Sequence, residues 1–434
     1  MLKNPTEIAM VFRRWAADVD CCLLFLIVTT LSLLAFFSAS TAVVPATPFP
    51  TFAPLRSFII ARAFPQPEKN TNRTTEDSIS LRETKKELEK SKMAVCLVGG
   101  ARRFEITGPS IVENILKEYP NADLFLHTPL DRNTFKLSYL KSAPKLAAVR
   151  IFEPKPIPET ESQLRVLTAS NSPNGIQGLL QYFNLVEGCL TMIRAYQSRN
   201  NFTYDWIVRT RVDGFWNGPL RPENFVPGQY VVPPGSSYGG LNDRFGVGDL
   251  NTSTVALSRL ALIPNLDAAG LRQLNSESAF KEQLSSAGVA FRAIRQPFCI
   301  VTERQYDYPP RGFGVPVAAM WSAGLMSGAK CRPCRAACEG ECVGEVMGRL
   351  ERGWSWTDWE NGTLSLCDAH GDWEQGWEKI YEEFVGVEMA GASWRIQNMN
   401  SSQCSDDFNE MKRRSGIWEA PPVEDICSLL QIGN

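Results

Sequence analysis

The sequence predicts an α/β protein in which helices cover both faces of a parallel or mixed β-sheet. Short apolar runs alternate along the chain with longer amphipathic stretches, which is the order of strands and helices in such sheets. The first apolar run is hydrophobic throughout, as in a strand buried on both faces. The 434 residues are 44% hydrophobic and 21% charged, which is typical of a globular protein and excludes a mostly disordered chain.

The predicted elements begin at residue 93. The run Met93–Val98 ends at Gly99 and Gly100 and predicts the first strand. A helix follows over residues 109–119, where the apolar residues share one face. Further strands are predicted at residues 122–127, 147–152, 205–211 and 229–232, and further helices at residues 182–199 and 278–287.

The amino terminus predicts a membrane anchor. Residues 21–44 carry no charge, and a helix of this length spans about 36 Å, more than the roughly 30 Å of a bilayer core. Lys3, Arg13 and Arg14 precede the run and favour a cytoplasmic tail over residues 1–20. A cleavable signal peptide, with small residues at 39–42, and a buried core helix are the alternatives.

Residues 45–92 are predicted to form a stem, because they are rich in Pro, Thr and Ser and then highly charged over 80–92, where a solvated helix is expected. The globular head is predicted over residues 93–310, followed by a Cys- and Trp-rich C-terminal subdomain over residues 311–434.

The cysteines and the glycosylation motifs agree with a lumenal or extracellular head. Ten cysteines follow the apolar run, and in an oxidising compartment they are expected to pair. N-glycosylation motifs occur at Asn72, Asn201, Asn251, Asn361 and Asn400.

Charge and histidine content exclude two classes of function. The formal net charge of −2 argues against a nucleic-acid-binding protein, which needs a basic surface. With only His127 and His370, a multi-histidine metal centre is impossible, and any metal must be held by carboxylates or thiolates.

Ligands of such sheets bind at the carboxyl ends of the strands, which selects three segments. In the first, Gly99 and Gly100 allow backbone amides to approach a phosphate, and Arg102 and Arg103 can neutralise it. The alternative is an ordinary turn that ends a strand.

The second segment is Arg209-Thr-Arg-Val-Asp213, where the carboxylate could hold a divalent cation and the arginines could neutralise a leaving group. The third is the polar, glycine-rich run from Asn242 to Gly248, which includes Asp243 and Arg244. The alternatives are a strand-ending turn and a surface loop, respectively.

Four segments together resemble the GT-A type nucleotide-sugar glycosyltransferases. They are residues 95–104 (VCLVGGARRF), 204–213 (YDWIVRTRVD), 241–248 (LNDRFGVG) and the pair Ser276-Glu277. The chain is especially similar to a largely uncharacterised plant group of membrane-anchored glycosyltransferase-like proteins. That similarity extends to the motifs at residues 331–334 (CRPC) and 353–356 (GWSW).

The resemblance implies a GT-A-like, Rossmann-type mixed sheet with a nucleotide-sugar donor site. The donor-binding residues it implies are Gly99, Gly100, Arg102, Arg103, Arg209, Arg211 and Arg244. Asp213 stands where the family's DxD motif holds Mn²⁺ or Mg²⁺, but Arg211 replaces the first aspartate. An arginine can supply part of a metal's charge, so metal dependence stays open. Asp243 or Glu277 is the candidate catalytic base.

The implied protein is a single-pass type II membrane glycosyltransferase of the Golgi with a lumenal head. It transfers a sugar from a nucleotide-sugar donor to a glycan or glycoprotein acceptor. One alternative is a non-catalytic, lectin-like glycan-binding protein on the same fold. Another is a lumenal hydrolase using Ser237 of Gly235-Ser-Ser-Tyr-Gly239, although no helix is predicted after that motif, as a nucleophile elbow requires.

The densest cysteine cluster has two interpretations. Four thiolates, Cys331, Cys334, Cys338 and Cys342, could bind zinc, but disulfides are more typical of a lumen. Both uses are structural. Seven of the eleven tryptophans follow residue 350, where they could form a sugar-binding platform or a small core.

Overall fold

The computed structural model describes residues 82–170, 172, 174–306, 317–349 and 364–432. The predicted tail, the predicted membrane anchor and the stem up to residue 81 lie outside these residues, as do Asn72, Asn361 and the motif at 353–356. Within the described ranges, no helix has the length and apolar character that a membrane crossing needs.

The main sheet has eight strands in the order β14-β3-β2-β1-β4-β7-β6-β8. Their bounds are β1 (Met93–Val98), β2 (Asp123–Pro129), β3 (Leu146–Phe152), β4 (Trp206–Arg211), β6 (Gln229–Val232), β7 (Phe245–Asp249), β8 (Ala290–Ala293) and β14 (Ile417–Glu419). β1 runs parallel to β2 and β4, whereas β7 is antiparallel to β4 and β6. The predicted mixed α/β architecture is therefore confirmed.

A second sheet of six short strands has the order β12-β13-β10-β11-β9-β5. The strands are β5 (Gly214–Trp216), β9 (Phe298–Val301), β10 (Ala318–Ala319), β11 (Ala329–Arg332), β12 (Ala336–Cys338) and β13 (Leu366–Cys367). Because β5 begins three residues after β4 ends, the turn at Val212–Asp213 connects the two sheets.

Helices cover both faces of the main sheet, and others pack against the second sheet. The helices are α1 (Phe104–Ile111, continued by a π-helical turn at Val112–Leu116), α2 (Glu161–Val166), α3 (Gly175–Asn200), α4 (Leu250–Leu257), α5 (Ile263–Ala268), α6 (Ser276–Ser286), α7 (Glu341–Gly348), α8 (Trp377–Val385), α9 (Val387–Gln397), α10 (Ser401–Arg414) and α11 (Val423–Ser428). Of these, α7 and α8 are among those that pack against the second sheet. Short 3₁₀ helices lie at Thr134–Ser142, Pro222–Asn224 and Leu429–Ile432.

The alternation of side chains along β1 shows how the two faces are filled. Val95 and Leu97 pack into the core on the side of α1, whereas Cys96 and Val98 pack into the core against α3. All six residues of the strand are buried, as the continuous apolar run predicted.

Two helices begin earlier than predicted. α1 starts at Phe104 rather than at residue 109, because all eight of its residues are buried and no amphipathic period is visible. α3 starts at Gly175 rather than at residue 182, since Ile176 and Leu180 pack against α5 and this contact outweighs the low helix propensity of Gly178.

The expected C-terminal subdomain is not separate from the head. β14 pairs in parallel with β3 at the edge of the main sheet, with Ile417 opposite Ala148. Phe408 and Met411 of α10 lie in the same core as β1. Residues after 364 therefore belong to both sheets, since β13 lies in the second sheet and β14 in the main sheet. The apolar side chains of α10 also cover one face of the main sheet.

The charged run before the head forms a helix over residues 82–90, as predicted. Its side chains are mostly exposed, but Leu88 is 4% exposed and packs into the core on the α1 side of the main sheet, called the main core below. The amide of Asn121 donates hydrogen bonds to the carbonyls of Leu88 and Ser91 at 2.9 and 2.7 Å. The end of the predicted stem is therefore attached to the head.

Ten cysteines form five disulfides, which confirms the prediction that they pair. The pairs are Cys96–Cys189, Cys299–Cys331, Cys334–Cys367, Cys338–Cys342 and Cys404–Cys427. The alternative of a four-thiolate zinc site is wrong, because Cys331 and Cys334 pair with cysteines outside the predicted cluster. No group of metal-ligating side chains is present in the described part of the chain.

The disulfides differ widely in the loops they close. Cys96–Cys189 spans 93 residues, whereas Cys338–Cys342 spans 4. Because a longer closed loop removes more entropy from the unfolded chain, we expect C96A/C189A to lower the free energy of unfolding by about 3 kcal/mol more than C338A/C342A. Urea denaturation of both double variants measures the difference, and equal losses would contradict the prediction.

Candidate functional site

The candidate site lies where β1 and β4 end side by side. Val98 is the register partner of Arg211, so the loops after both strands leave the sheet at the same edge. The backbone N–H of Val212 donates to the carbonyl of Val98 at 2.9 Å. The structure thus brings together the first two segments selected from the sequence.

Two glycines shape the loop after β1. Gly99 has a φ of +124°, in a region that side chains disfavour. A Cβ atom on Gly100 would lie 2.7 Å from Oδ2 of Asp131, so a larger residue would require the Asp131 carboxylate to move. The loop then presents Arg102 as an exposed side chain at the edge of the sheet.

The side chain of Arg103 contacts residues close to the second sheet. Its guanidinium pairs with Glu105 at 3.3 Å and with Glu303, and its central carbon lies 4.1 Å from the centre of the Trp373 ring. The indole N–H of Trp373 donates to the carbonyl of Thr302, just beyond β9. Arg103 therefore joins the first loop to the second sheet, whereas Arg102 is among the charges that act on Asp213.

Asp213 and Arg211 form a two-pronged ion pair at the end of β4. Nε and Nη2 of Arg211 donate to the two carboxylate oxygens of Asp213, each at 2.7 Å. Burial alone would raise the pKa of Asp213, but Arg211, Lys330 and Arg102 outweigh it and lower the pKa to about 2.

The donor set at Asp213 does not fit a divalent cation. Both of its oxygens already accept hydrogen bonds from Arg211, and its other charged neighbours are the cations Lys330 and Arg102. Mg²⁺ and Mn²⁺ need several oxygen ligands, which this surrounding does not offer. Among the residues that the structure describes, the Mn²⁺ or Mg²⁺ expected from the resemblance therefore finds no suitable set of ligands around Asp213.

Arg209 is a buried member of the site. It is 1% exposed, and its Nη1 donates to the hydroxyl of Tyr182 at 3.2 Å. Tyr182 in turn donates to the carbonyl of Asp243 at 2.9 Å. Nη2 of Arg209 finds no hydrogen-bond partner within the described ranges. Arg209 therefore supports the site from within the fold rather than from its surface.

Asp243 is buried in an ion pair with Arg259. One of its oxygens accepts a hydrogen bond of 2.6 Å from Ser276 and lies 3.6 Å from Nη2 of Arg259. Arg259 is fully buried, and its guanidinium carbon lies 4.8 Å from the ring centre of Phe183 and 4.4 Å from that of Phe280. Burial acts to raise the pKa of Asp243, but Arg259 and Arg209 prevail and lower it.

Glu277 lies beside Asp243 in the first turn of α6 and is half-buried. Burial and the neighbouring charge of Asp243 raise the pKa of Glu277 to about 8. The loop before β7 holds the two acids together, since the N–H of Leu241 donates to the carbonyl of Glu277 at 3.1 Å. A Cβ on Gly240 would overlap that carbonyl, at 2.0 Å from its oxygen.

Arg244 connects the two sheets. It is 8% exposed, and its Nη1 donates to the hydroxyl of Ser236 at 2.5 Å and to the carbonyl of Gly328 at 2.6 Å. Residues 235–239 form a turn with positive φ at four positions, and the next helix, α4, begins only at Leu250. The nucleophile-elbow interpretation of this segment therefore fails.

Sequence reasoning missed Lys330 and Arg259. Lys330 lies on β11, opposite Ile300 of β9, which pairs with Gly214 directly after Asp213. It is half-buried, and burial with the nearby charges of Arg244 and Arg211 holds its pKa well below the usual lysine value. No local pattern marks it, since its position depends on the pairing of three strands distant in sequence.

Together these residues form a strongly cationic site. We define the cationic cluster as Arg102, Arg209, Arg211, Arg244, Arg259 and Lys330. Three acids, Asp213, Asp243 and Glu277, lie among them. The excess of positive charge favours binding of an anion, and Glu277 provides an acid–base group beside it.

Three predicted glycosylation sites fall within the described residues, and Asn201, Asn251 and Asn400 are all exposed. Asn201 ends α3 with a φ of 53°, while the side chain of Asn400 accepts a hydrogen bond from the N–H of Gln403 at the start of α10. Their glycosylation remains a prediction.

The chain matches the family model described as "Domain of unknown function (DUF7796)" over residues 88–432. The chain belongs to this family. The DUF7796 domain begins at the buried Leu88 and ends with the last described residue, so it includes both sheets and the whole cationic cluster. No curated protein is significantly similar to the chain.

Proposed function

We propose that the DUF7796 domain binds a nucleotide-sugar donor at the edge formed by β1 and β4. It transfers the sugar to a glycan or glycoprotein acceptor, as a type II membrane glycosyltransferase with a lumenal head, in the Golgi. The proposal also takes the fold to be of the GT-A type, in keeping with the resemblance of its motifs to those enzymes.

The main support is the convergence of cations with accessible groups at the carboxyl edge of the sheet. Arg102 is exposed, and Arg211 and Lys330 are half-buried, so all three can reach a bound anion. Asp213 holds Nε and Nη2 of Arg211, which leaves its Nη1 able to donate to a ligand. A diphosphate fits this arrangement, because guanidinium and ammonium groups form strong, charge-assisted hydrogen bonds with phosphate oxygens.

The two acids near this edge suit different tasks. Asp243 is 4% exposed and bound to Ser276 and Arg259, so it organises the site and does not take up a proton. Glu277 is more exposed and more basic, so it is the group that accepts the proton of an acceptor hydroxyl as the hydroxyl attacks the sugar. Cations at the diphosphate stabilise the leaving group.

Donor binding can be tested by thermal shift of the full chain against a panel of nucleotide sugars. A donor present at a hundred times its Kd stabilises the fold by about 2.7 kcal/mol, which raises the melting temperature measurably. We expect Arg211→Met to weaken binding about 10- to 100-fold, the loss typical of hydrogen bonds to a charged group. Arg194→Met, an exposed site on α3, is the matched control. An unchanged shift in Arg211→Met would contradict the proposed donor site.

Glycan binding without catalysis is the second candidate, because Trp394 of α9 is 67% exposed and tryptophan rings stack well on sugars. It predicts stabilisation by oligosaccharides that Trp394→Ala abolishes, together with no stabilisation by any nucleotide sugar. The same thermal-shift panel separates the two candidates.

A further inference from the structure

We propose that the β1–β4 edge binds a diphosphate without a divalent cation, with Lys330 supplying the positive charge in its place. This inference rests on the proposed function and specifies how its donor is held. It starts from the finding that Asp213, the residue at the expected metal position, is already committed to Arg211 at both oxygens.

Strand pairing fixes where Lys330 lies. The N–H of Val301 donates to the carbonyl of Asp213 at 3.0 Å, which places β9 next to the turn after β4. Lys330 is the register partner of Ile300 on that strand, and its neighbours Ala329 and Cys331 face the other side, in the core of the second sheet. Since side chains alternate along a strand, Lys330 faces the same side as Ile300, towards the main core.

Lys330 has no counter-ion of its own within the described ranges. No hydrogen bond or ion pair of its side chain occurs there, although it is half-buried. Among the described residues, the charges that act most strongly on it are those of Arg244, Arg211 and Arg102 and the opposite charge of Asp213. Because Asp213 is already neutralised by Arg211, the amino group of Lys330 is left for an incoming anion.

The backbone around Lys330 is held firmly enough to position it. Nη1 of Arg244 donates to the carbonyl of Gly328, two residues earlier, and Cys331 is joined to Cys299 of β9 by a disulfide. A Cβ on Gly328, at a φ of +82°, would lie 3.3 Å from the side chain of Arg244. β11 is therefore held in place at both ends of the segment that carries Lys330, which favours a fixed contact with the ligand.

Burial among cations disfavours the charged form of Lys330, and a bound diphosphate reverses this effect. Binding is therefore expected to be accompanied by uptake of a proton. Lys330→Arg, whose side chain stays charged, should bind without that uptake. This coupling would not arise if Lys330 only filled space in the fold.

Isothermal titration calorimetry of the full chain with inorganic pyrophosphate, UDP and GDP tests the inference. Titrations in excess EDTA and in Mn²⁺, in two buffers of different ionisation enthalpy, separate metal dependence from proton uptake. We expect equal affinity in EDTA and in Mn²⁺ for UDP or GDP. We also expect a loss of about 10- to 100-fold in Lys330→Met, near-normal affinity in Lys330→Arg, and no change in the exposed control Lys86→Met.

The melting temperature of Lys330→Met without ligand checks its folding, and we expect it to equal or exceed that of the wild type, since a half-buried amino group beside other cations has been removed. Binding that requires Mn²⁺, or wild-type affinity in Lys330→Met, would overturn the inference but leave a donor site in place. Binding of pyrophosphate in EDTA, together with no stabilisation by any nucleotide sugar in the thermal-shift panel, would support the inference and refute the proposed function. No binding of any probe would refute both.

Discussion

Glu277→Gln is expected to lower sugar transfer, or hydrolysis of the donor by water, by about 10²- to 10⁴-fold, the usual contribution of a general base. Glutamine keeps the shape of the side chain but cannot accept a proton. Glu277 lies in the first turn of α6, where the capping residue Asn275 fixes the helix start, so the substitution should leave the fold intact. Initial rates with the donor found in the thermal-shift panel measure the loss.

The pH dependence of the wild type follows from the raised pKa of Glu277. A base must be deprotonated to act, so the rate should rise with pH until about 8 and then level off. The rising limb should be absent from the residual activity of Glu277→Gln. Glu282→Gln, on the same helix, should keep both the rate and the limb. A wild-type rate that falls as pH approaches 8 would mean that Glu277 acts as an acid instead.

Asp243→Asn is expected to lower the free energy of unfolding by about 3–5 kcal/mol, because breaking a buried ion pair leaves a charge without its partner. Arg259 is fully buried, and its Nε and Nη1 already have no hydrogen-bond partners among the described residues. Without the carboxylate, Arg259 and the neighbouring Arg209 would repel each other in a region that excludes water. Asp406→Asn, an exposed change on α10, should have little effect.

A double variant distinguishes loss of the ion pair from a general packing defect. Replacing Arg259 with leucine in the Asp243→Asn background removes the uncompensated charge and should recover part of the lost stability. Urea denaturation of Asp243→Asn, Arg259→Leu and the double variant gives the interaction energy between the two side chains. Strictly additive losses would contradict the ion-pair explanation.

The lowered pKa of Asp243 also predicts how stability depends on pH in acid. Because the folded-state pKa of Asp243 is lowered, its contribution to stability is complete above the unfolded-state pKa and is lost as pH falls through the folded-state value. The acid limb of the stability profile should therefore be weaker in Asp243→Asn.

Much of the main sheet was predictable because its strands obey local rules. The apolar run Met93–Val98 and the strand Gln229–Val232 appear at the predicted bounds. Arg211 and Asp213 could be placed with Arg102 at one edge because parallel strands carry their loops to the same end. The early starts of α1 and α3 were missed because tertiary burial, rather than sequence period, determines them.

By itself, the sequence determined the alternation of strands and helices, the pairing of the cysteines in general and the cationic character of the loop after β1. Only the tertiary structure decided that Arg103 turns to Trp373, that Arg211 occupies both oxygens of Asp213, and that Lys330 arrives from β11. The physical reason is one of range. Most of the secondary structure depends on neighbours a few residues away, whereas the partner of a charge or a thiol is set by strands that meet only when the chain folds.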